Sequence, residues 1–131
     1  MSVEEDFVAN VLADPQQPVV IFALEWCEFC WSVRKLFKKL DIPYRSVDLD
    51  SVEFQDGARG LKIRAVLTSK TSIKTIPQIF IGGEFIGGCT DMFDGWKAGD
   101  IQKMLAKSGV SYATEIDVDP YTFLPDWLHP R

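Results

Sequence analysis

Cys27 and Cys30 are separated by two residues, Glu28 and Phe29. Two thiols at this spacing can exchange with a disulfide: one attacks as a thiolate and forms a mixed disulfide, and the other attacks that bond and resolves it. The chemistry asks for an accessible first cysteine favoured as a thiolate and a second that is near but shielded. The residues on either side supply such a setting. Val19 to Leu24 is an unbroken apolar run with β-branched members, suited to a strand covered on both faces. After the pair, Val33, Leu36, Phe37 and Leu40 recur at helical spacing, with Arg34, Lys35, Lys38 and Lys39 on the other side. The cysteines therefore stand where a buried strand meets the start of an amphipathic helix. There the unpaired N–H groups and the helix dipole favour a thiolate on Cys27, and the i, i+3 spacing puts Cys30 one turn deeper on the same face. Two plainer readings stand beside this one. The pair could be half of a zinc site, for which only Cys89 and His129 remain as partners, and Cys30 taken alone could be an inert buried cysteine.

The rest of the chain reads as a frame for that junction. Ser2 and Glu5 have the spacing of a capping box, which opens a helix over residues 3–12 with Val3, Phe7, Val11 and Leu12 turned inward. Asp14-Pro15 and Pro18 end it. Asp41-Ile42-Pro43 stops the helix after the cysteines, and Tyr44 to Leu49 alternates as a second strand, giving a strand-helix-strand unit with parallel strands. Residues 51–72 read as irregular helix interrupted by Gly57 and Gly60, with its apolar face at Leu61, Ala65 and Val66. Ile76 to Ile81, Gly82-Gly83 and Glu84 to Ile86 form a hairpin pattern, because paired glycines accept positive φ at both turn positions. Gly87-Gly88 leads into a helix opened by Cys89-Thr90-Asp91 and ending between Gly95 and Gly99; a last helix over 100–107 buries Ile101, Met104 and Leu105 before Gly109.

The chain has 131 residues, a length that suits one compact domain. Its 14 basic and 19 acidic residues give a net charge of -5, which argues against nucleic acid and anionic membrane surfaces as partners. Three cysteines are too few for a secreted disulfide framework, so a cytoplasmic thiol protein is expected. The first residues lack the basic and apolar regions of a signal peptide, and no stretch has the length of a membrane span, so the expectation is a soluble protein. Between Gly57 and Gly83 there is no acidic residue, while Arg59, Lys62, Arg64, Lys70 and Lys74 are all basic.

Three motifs in order, Cys27-Glu28-Phe29-Cys30, Lys74-Thr75-Ile76-Pro77 and Gly87-Gly88-Cys89-Thr90-Asp91, give residues 2–110 a resemblance to the glutaredoxins. The resemblance implies an α/β, thioredoxin-like fold: a four-stranded mixed sheet flanked by helices on both faces, with a cis Ile76-Pro77 bond beside the active cysteine. It implies glutathione as the thiol partner and co-substrate, with no tightly bound cofactor. Thr75, Ile76 and Pro77 match the segment whose backbone pairs with the glutathione cysteine as an added strand does. Gly88, Cys89, Thr90 and Asp91 match the loop and helix start that receive the γ-glutamyl end, and Lys74 matches a basic position facing the glycyl carboxylate. Phe29 keeps an aromatic wall where tyrosine is usual. Glu28 stands where many dithiol members have proline, and Leu24 where a lysine commonly helps hold glutathione.

Two functions follow from the resemblance. One is a glutathione-dependent oxidoreductase acting on glutathionylated or disulfide-containing proteins, with Cys27 as nucleophile and Cys30 as resolving thiol. The other is binding and transfer of a 2Fe-2S cluster, with Cys27 as the iron ligand in each subunit of a dimer; without a cluster a monomer is expected. The tail, residues 111–131, lies outside the resemblance. It is acidic and carries Pro120, Pro125 and Pro130 among Tyr121, Phe123, Leu124, Trp127 and Leu128, a composition too apolar for a solvated linker, so packing back on the domain is expected. His129 receives no role.

Overall fold

A computed structural model describes residues 2–124. Strand β1 (Val19–Ala23) is its axis, and all five of its residues are buried. On one side β1 pairs in parallel with β2 (Arg45–Asp48), with Phe22 opposite Val47. On the other it runs antiparallel to β3 (Gln78–Ile81), which continues through Gly82-Gly83 into β4 (Glu84–Gly87), so the sheet order is β2-β1-β3-β4. This is the mixed sheet expected from the sequence.

Because side chains alternate along a strand, β1 feeds two cores. Val19, Ile21 and Ala23 point into a core with α2 (Glu28–Lys39), α4 (Cys89–Ala98) and α5 (Asp100–Lys107). Val20 and Phe22 point into the opposite core with α1 (Val3–Ala13) and α3 (Arg59–Thr71). Leu36, Phe37 and Leu40 of the predicted α2 stripe are fully buried with Val33. The Ser2 hydroxyl accepts from the Glu5 amide at 3.0 Å, so the Ser2 half of the capping box forms.

Two inward faces differ from the sequence expectation. In α1 the buried pair is Val8 and Val11, facing α3, while Val3 at the free start of the helix is 69% exposed. In α3 the buried face is Gly60, Ile63 and Leu67, and Leu61 is 71% exposed. Gly60 sets this rotation. A Cβ there would lie 2.0 Å from the Leu49 carbonyl oxygen, so only glycine lets α3 rest on the backbone just beyond β2. The irregular segment before α3 is two 3-10 turns, Val52–Phe54 and Asp56–Ala58.

The segment after Val110 continues the domain. Ala113 N–H donates to the Leu40 carbonyl at 2.7 Å, and Tyr112 meets Trp96 edge to face with ring centroids 5.6 Å apart. A last 3-10 turn (Pro120–Phe123) begins with Pro120 buried and with Asp119 accepting from Tyr121 N–H at 3.1 Å. Tyr121 packs on Phe93 at 5.4 Å, hydrogen-bonds Asp94 and lies under the Lys97 ammonium. The expected packing of the tail on the domain is thus seen through Leu124; Pro125, Trp127, Leu128, His129 and Pro130 lie outside the described residues.

The contact at Gly60 yields a test. Gly60→Ala should lower stability by about 3 kcal/mol, the upper part of the range for overpacking, because the obstacle is backbone. The change should appear as a lower guanidinium midpoint at unchanged slope, whereas an unchanged midpoint would mean that α3 is not seated on Leu49.

Candidate active site

The loop from β1 into α2 is fixed from two sides. The Asp50 carboxylate, just past β2, accepts from Glu25 N–H at 2.7 Å and Trp26 N–H at 3.4 Å. Arg34 reaches back from the second turn of α2 to the Leu24 carbonyl at 3.4 Å, to the Ser46 hydroxyl at 3.1 Å and to the Asp48 carboxylate. The Trp31 indole N–H closes the loop on the Glu25 carbonyl at 2.7 Å. Cys27 is left as the N-cap of α2 with extended φ/ψ, its carbonyl accepting from Trp31 N–H at 3.0 Å.

In this arrangement Cys27 is half-buried and Cys30 has no exposed surface. The Cys30 side chain hydrogen-bonds the Cys27 sulfur. Burial, first, and then the bond and negative charge at Cys27 push the Cys30 thiol up to about 12, against the opposing pull of the Leu24 backbone and the Arg34 cation. Cys89, buried at the start of α4, is also pushed up to about 12, by burial and by the charge at Cys27. The two plain readings of the cysteines meet different fates. Cys30 is buried yet hydrogen-bonded to the more accessible Cys27 thiol; among the described residues no group of three or more His, Cys, Asp or Glu is placed to hold a metal ion, and His129 lies outside those residues.

Beside the pair opens a groove of about 470 Å³. Phe29, Thr75, Ile76 and Pro77 form one wall, and Gly88, Cys89, Thr90 and Asp91 the other. The Ile76-Pro77 peptide bond is cis, as the resemblance implied. The loop before it is held by a buried polar side chain: Gln78 donates to the carbonyls of Ile73 at 2.8 Å and Thr75 at 3.4 Å. On the opposite wall the Asp91 carboxylate accepts from Gly88 N–H at 2.9 Å. Gly87 has φ 124, and a Cβ there would lie 2.3 Å from Asp91 Oδ2, so this glycine is needed both for backbone conformation and for space.

The residues matched by family comparison coincide with this architecture. The Glutaredoxin family model matches residues 19–86. The chain belongs to the glutaredoxin family. It is 36% identical over 115 residues to Monothiol glutaredoxin-S10 of Oryza sativa subsp. japonica, across 88% of this chain and 62% of that relative, so it spans less than two thirds of the relative's length. Among solved structures, the buckwheat glutaredoxin-glutathione complex is 31% identical with a TM-score of 0.71, over 81% of this chain and 90% of the other. The holo form of glutaredoxin C1 from Populus tremula x tremuloides is 26% identical with a TM-score of 0.72, over 82% and 99%.

Within this family member the structure gathers nearly all the predicted site residues. Phe29, Thr75, Ile76, Pro77, Gly88, Cys89, Thr90 and Asp91 line the groove, with Cys27 and Cys30 adjoining it at Phe29. Lys74 is exposed and lies off the groove wall, and its carbonyl accepts from the Arg64 guanidinium at 3.2 Å. The basic run therefore disperses. Arg59 lies over the Phe54 ring at 5.5 Å and the Phe7 ring at 5.1 Å, Arg64 anchors the Lys74 loop, and Lys70 sits beside α1 near Glu5. Sequence reasoning missed Arg34, Asp50 and Gln78. Gln78, a polar residue inside the apolar run from Ile76 to Ile81, was the legible signal.

The burial contrast is testable with a thiol reagent. Iodoacetamide applied to the folded, reduced protein at about pH 8 should add a single label, at Cys27, because Cys30 and Cys89 are shielded and protonated. Mass spectrometry showing a second label without unfolding would contradict the geometry.

Proposed function

We propose that this protein is a glutathione-dependent thiol-disulfide oxidoreductase that reduces glutathione mixed disulfides and protein disulfides through Cys27. The observation that carries the reading is the half-buried Cys27 sulfur, hydrogen-bonded by a buried Cys30, beside a groove walled by Thr75–Pro77 and by the start of α4. The Thr75-Ile76-Pro77 backbone offers an edge to an extended tripeptide, and the N–H groups at the start of α4 suit the γ-glutamyl carboxylate while Asp91 accepts from its ammonium. The similarity to a structure described as a glutaredoxin-glutathione complex supports the same ligand.

In the proposed reaction the Cys27 thiolate attacks the glutathione sulfur of a protein-glutathione disulfide. The Cys27–glutathione bond forms as the old S–S bond breaks, and the protein leaves as a thiolate that takes up a proton. A second glutathione thiolate then attacks the bound glutathione sulfur, releasing glutathione disulfide and regenerating Cys27. In the dithiol route Cys30 loses its proton and attacks the Cys27 sulfur, expelling glutathione thiolate and leaving a Cys27–Cys30 disulfide that two glutathiones reduce. Two of the causes that hold the Cys30 proton come from Cys27 itself, so they vanish once Cys27 is capped. Burial remains, opposed by Arg34 and the Leu24 backbone. The resolving thiol is thereby quiet until its partner has reacted.

A second reading is cluster binding, with Cys27 from two copies and two glutathiones as ligands. It draws on the accessible Cys27 and on the similarity to a protein named as a monothiol glutaredoxin. Cys30, with no exposed surface, has no part as a ligand.

Steady-state reduction of a glutathionylated peptide with glutathione separates these readings. Cys27→Ser should abolish turnover, while Cys30→Ser should retain the glutathione-resolved route. Turnover by the Cys27 variant, or a brown dimeric protein from anaerobic preparation with negligible reductase activity, would overturn the enzyme reading.

A further inference from the structure

Among the large exposed apolar side chains, Trp26 stands out at 81%, directly before Cys27, and Trp31 at 39% lies one turn after it. Their rings meet edge to face with centroids 6.0 Å apart. Neither indole fills a core; the Trp31 ring is tied down and the Trp26 ring leans on it from an anchored backbone. The Trp31 N–H is fixed on the Glu25 carbonyl, and the Trp26 backbone N–H is fixed on Asp50. Such a ledge is already ordered before a partner arrives, which lowers the entropic cost of docking.

The charge around the ledge is negative. Glu25 is exposed next to Trp26, Asp50 lies beneath the loop, and the turn after it carries exposed Val52 and Glu53. Of the nearby cations, Arg34 pairs with Asp48, Arg59 lies over the Phe54 ring, and Arg64, which lines one groove with Leu24 and Asp50, is turned to the Lys74 carbonyl, so the exposed charge next to the indoles is that of Glu25. Lys35 is on α2 one turn beyond Trp31, further from Cys27. Exposed indole faces beside carboxylates fit an arginine or lysine side chain, whose aliphatic stem lies on the ring while its charge meets both the π-face and the acids. The anionic tripeptide glutathione gains nothing from such a surface.

We propose that the Trp26–Trp31 ledge with Glu25 is a docking site for a polypeptide substrate carrying a lysine or arginine beside its disulfide-bonded cysteine. This rests on the reductase reading of Cys27 and names the substrate class for it. The ledge is contiguous with the nucleophile and lies outside the groove assigned to glutathione, so a glutathionylated protein can occupy both: glutathione in the groove, its own basic flank on the indoles.

The test uses two glutathionylated peptides of equal length, one with arginine and lysine around the cysteine and one with aspartate and glutamate, and glutathione-dependent reduction of a small non-peptide disulfide as reference. For the full chain, kcat/KM should favour the basic peptide by about fivefold, the size of one exposed cation–π contact with a nearby carboxylate. Trp26→Ala and Glu25→Gln should each remove most of that preference while leaving the small disulfide unchanged. In a parallel titration, the same peptides with serine for cysteine are added to 15N-labelled protein. The basic one should move the Trp26 and Trp31 indole resonances and the acidic one should not. Equal kcat/KM for the two peptides, an equal loss on all substrates in Trp26→Ala, or unmoved indole resonances would overturn the proposal. Absent turnover of every substrate together with a basic-specific indole shift would instead overturn the reductase reading and leave the docking site standing.

Discussion

The guanidinium of Arg34 reaches three groups at once: the carbonyl that ends the run out of β1, and the Ser46 and Asp48 side chains on β2, all from a helix that starts at Cys27. This contact fixes the distance and angle between the sheet and the start of α2. It also leaves a positive charge near Cys30 that opposes, in part, the burial that keeps this thiol protonated. Asp50 completes the clamp by taking the next two backbone N–H groups. The chemistry proposed for Cys27 and Cys30 depends on this local order, since an accessible thiol and a shielded one must stay one turn apart while one of them changes its bonding.

The groove has an equivalent economy. Gln78 is 1% exposed and spends its amide on the carbonyls before Pro77, so the segment assigned to pair with glutathione is shaped by a single buried side chain. Across from it, Asp91 turns back to Gly88, and the absence of a side chain at Gly87 makes room for that turn. Both walls are thus built by short-range polar contacts mounted on β3 and on α4. The ring contacts of Tyr112 and Tyr121 brace α4 from the far side, which gives the segment after Val110 a structural part in the same frame.

Much of this was legible in the sequence because its determinants are local. The apolar run before Cys27, the helical stripe after it, the Gly82-Gly83 turn and the clustered glycines before Cys89 each specify an element and its place in order. What was not legible depends on contacts between distant segments. The inward face of α3 follows from Gly60 meeting Leu49, not from periodicity, which pointed to Leu61. Val8 is buried where Val3 is not, because Val3 stands at the free start of α1 while Val8 and Val11 share a core with Ile63 and Leu67 of α3. The basic run is continuous in sequence, but Arg59 is taken up by the Phe7 and Phe54 rings and Arg64 by the Lys74 carbonyl. Arg34, on the polar face of a helix, carried no mark that set it apart from Lys35 or Lys38.

The central claim is that Arg34 readies Cys30 to act once Cys27 is capped. Its most direct measurement starts from protein with glutathione preformed on Cys27 and follows glutathione release by rapid mixing across pH, in the wild type and in Arg34→Gln. Removing the cation should raise the apparent pKa of the release step and slow it at neutral pH, because a smaller fraction of Cys30 is then thiolate. Identical rates and pH profiles in the two proteins would contradict the account.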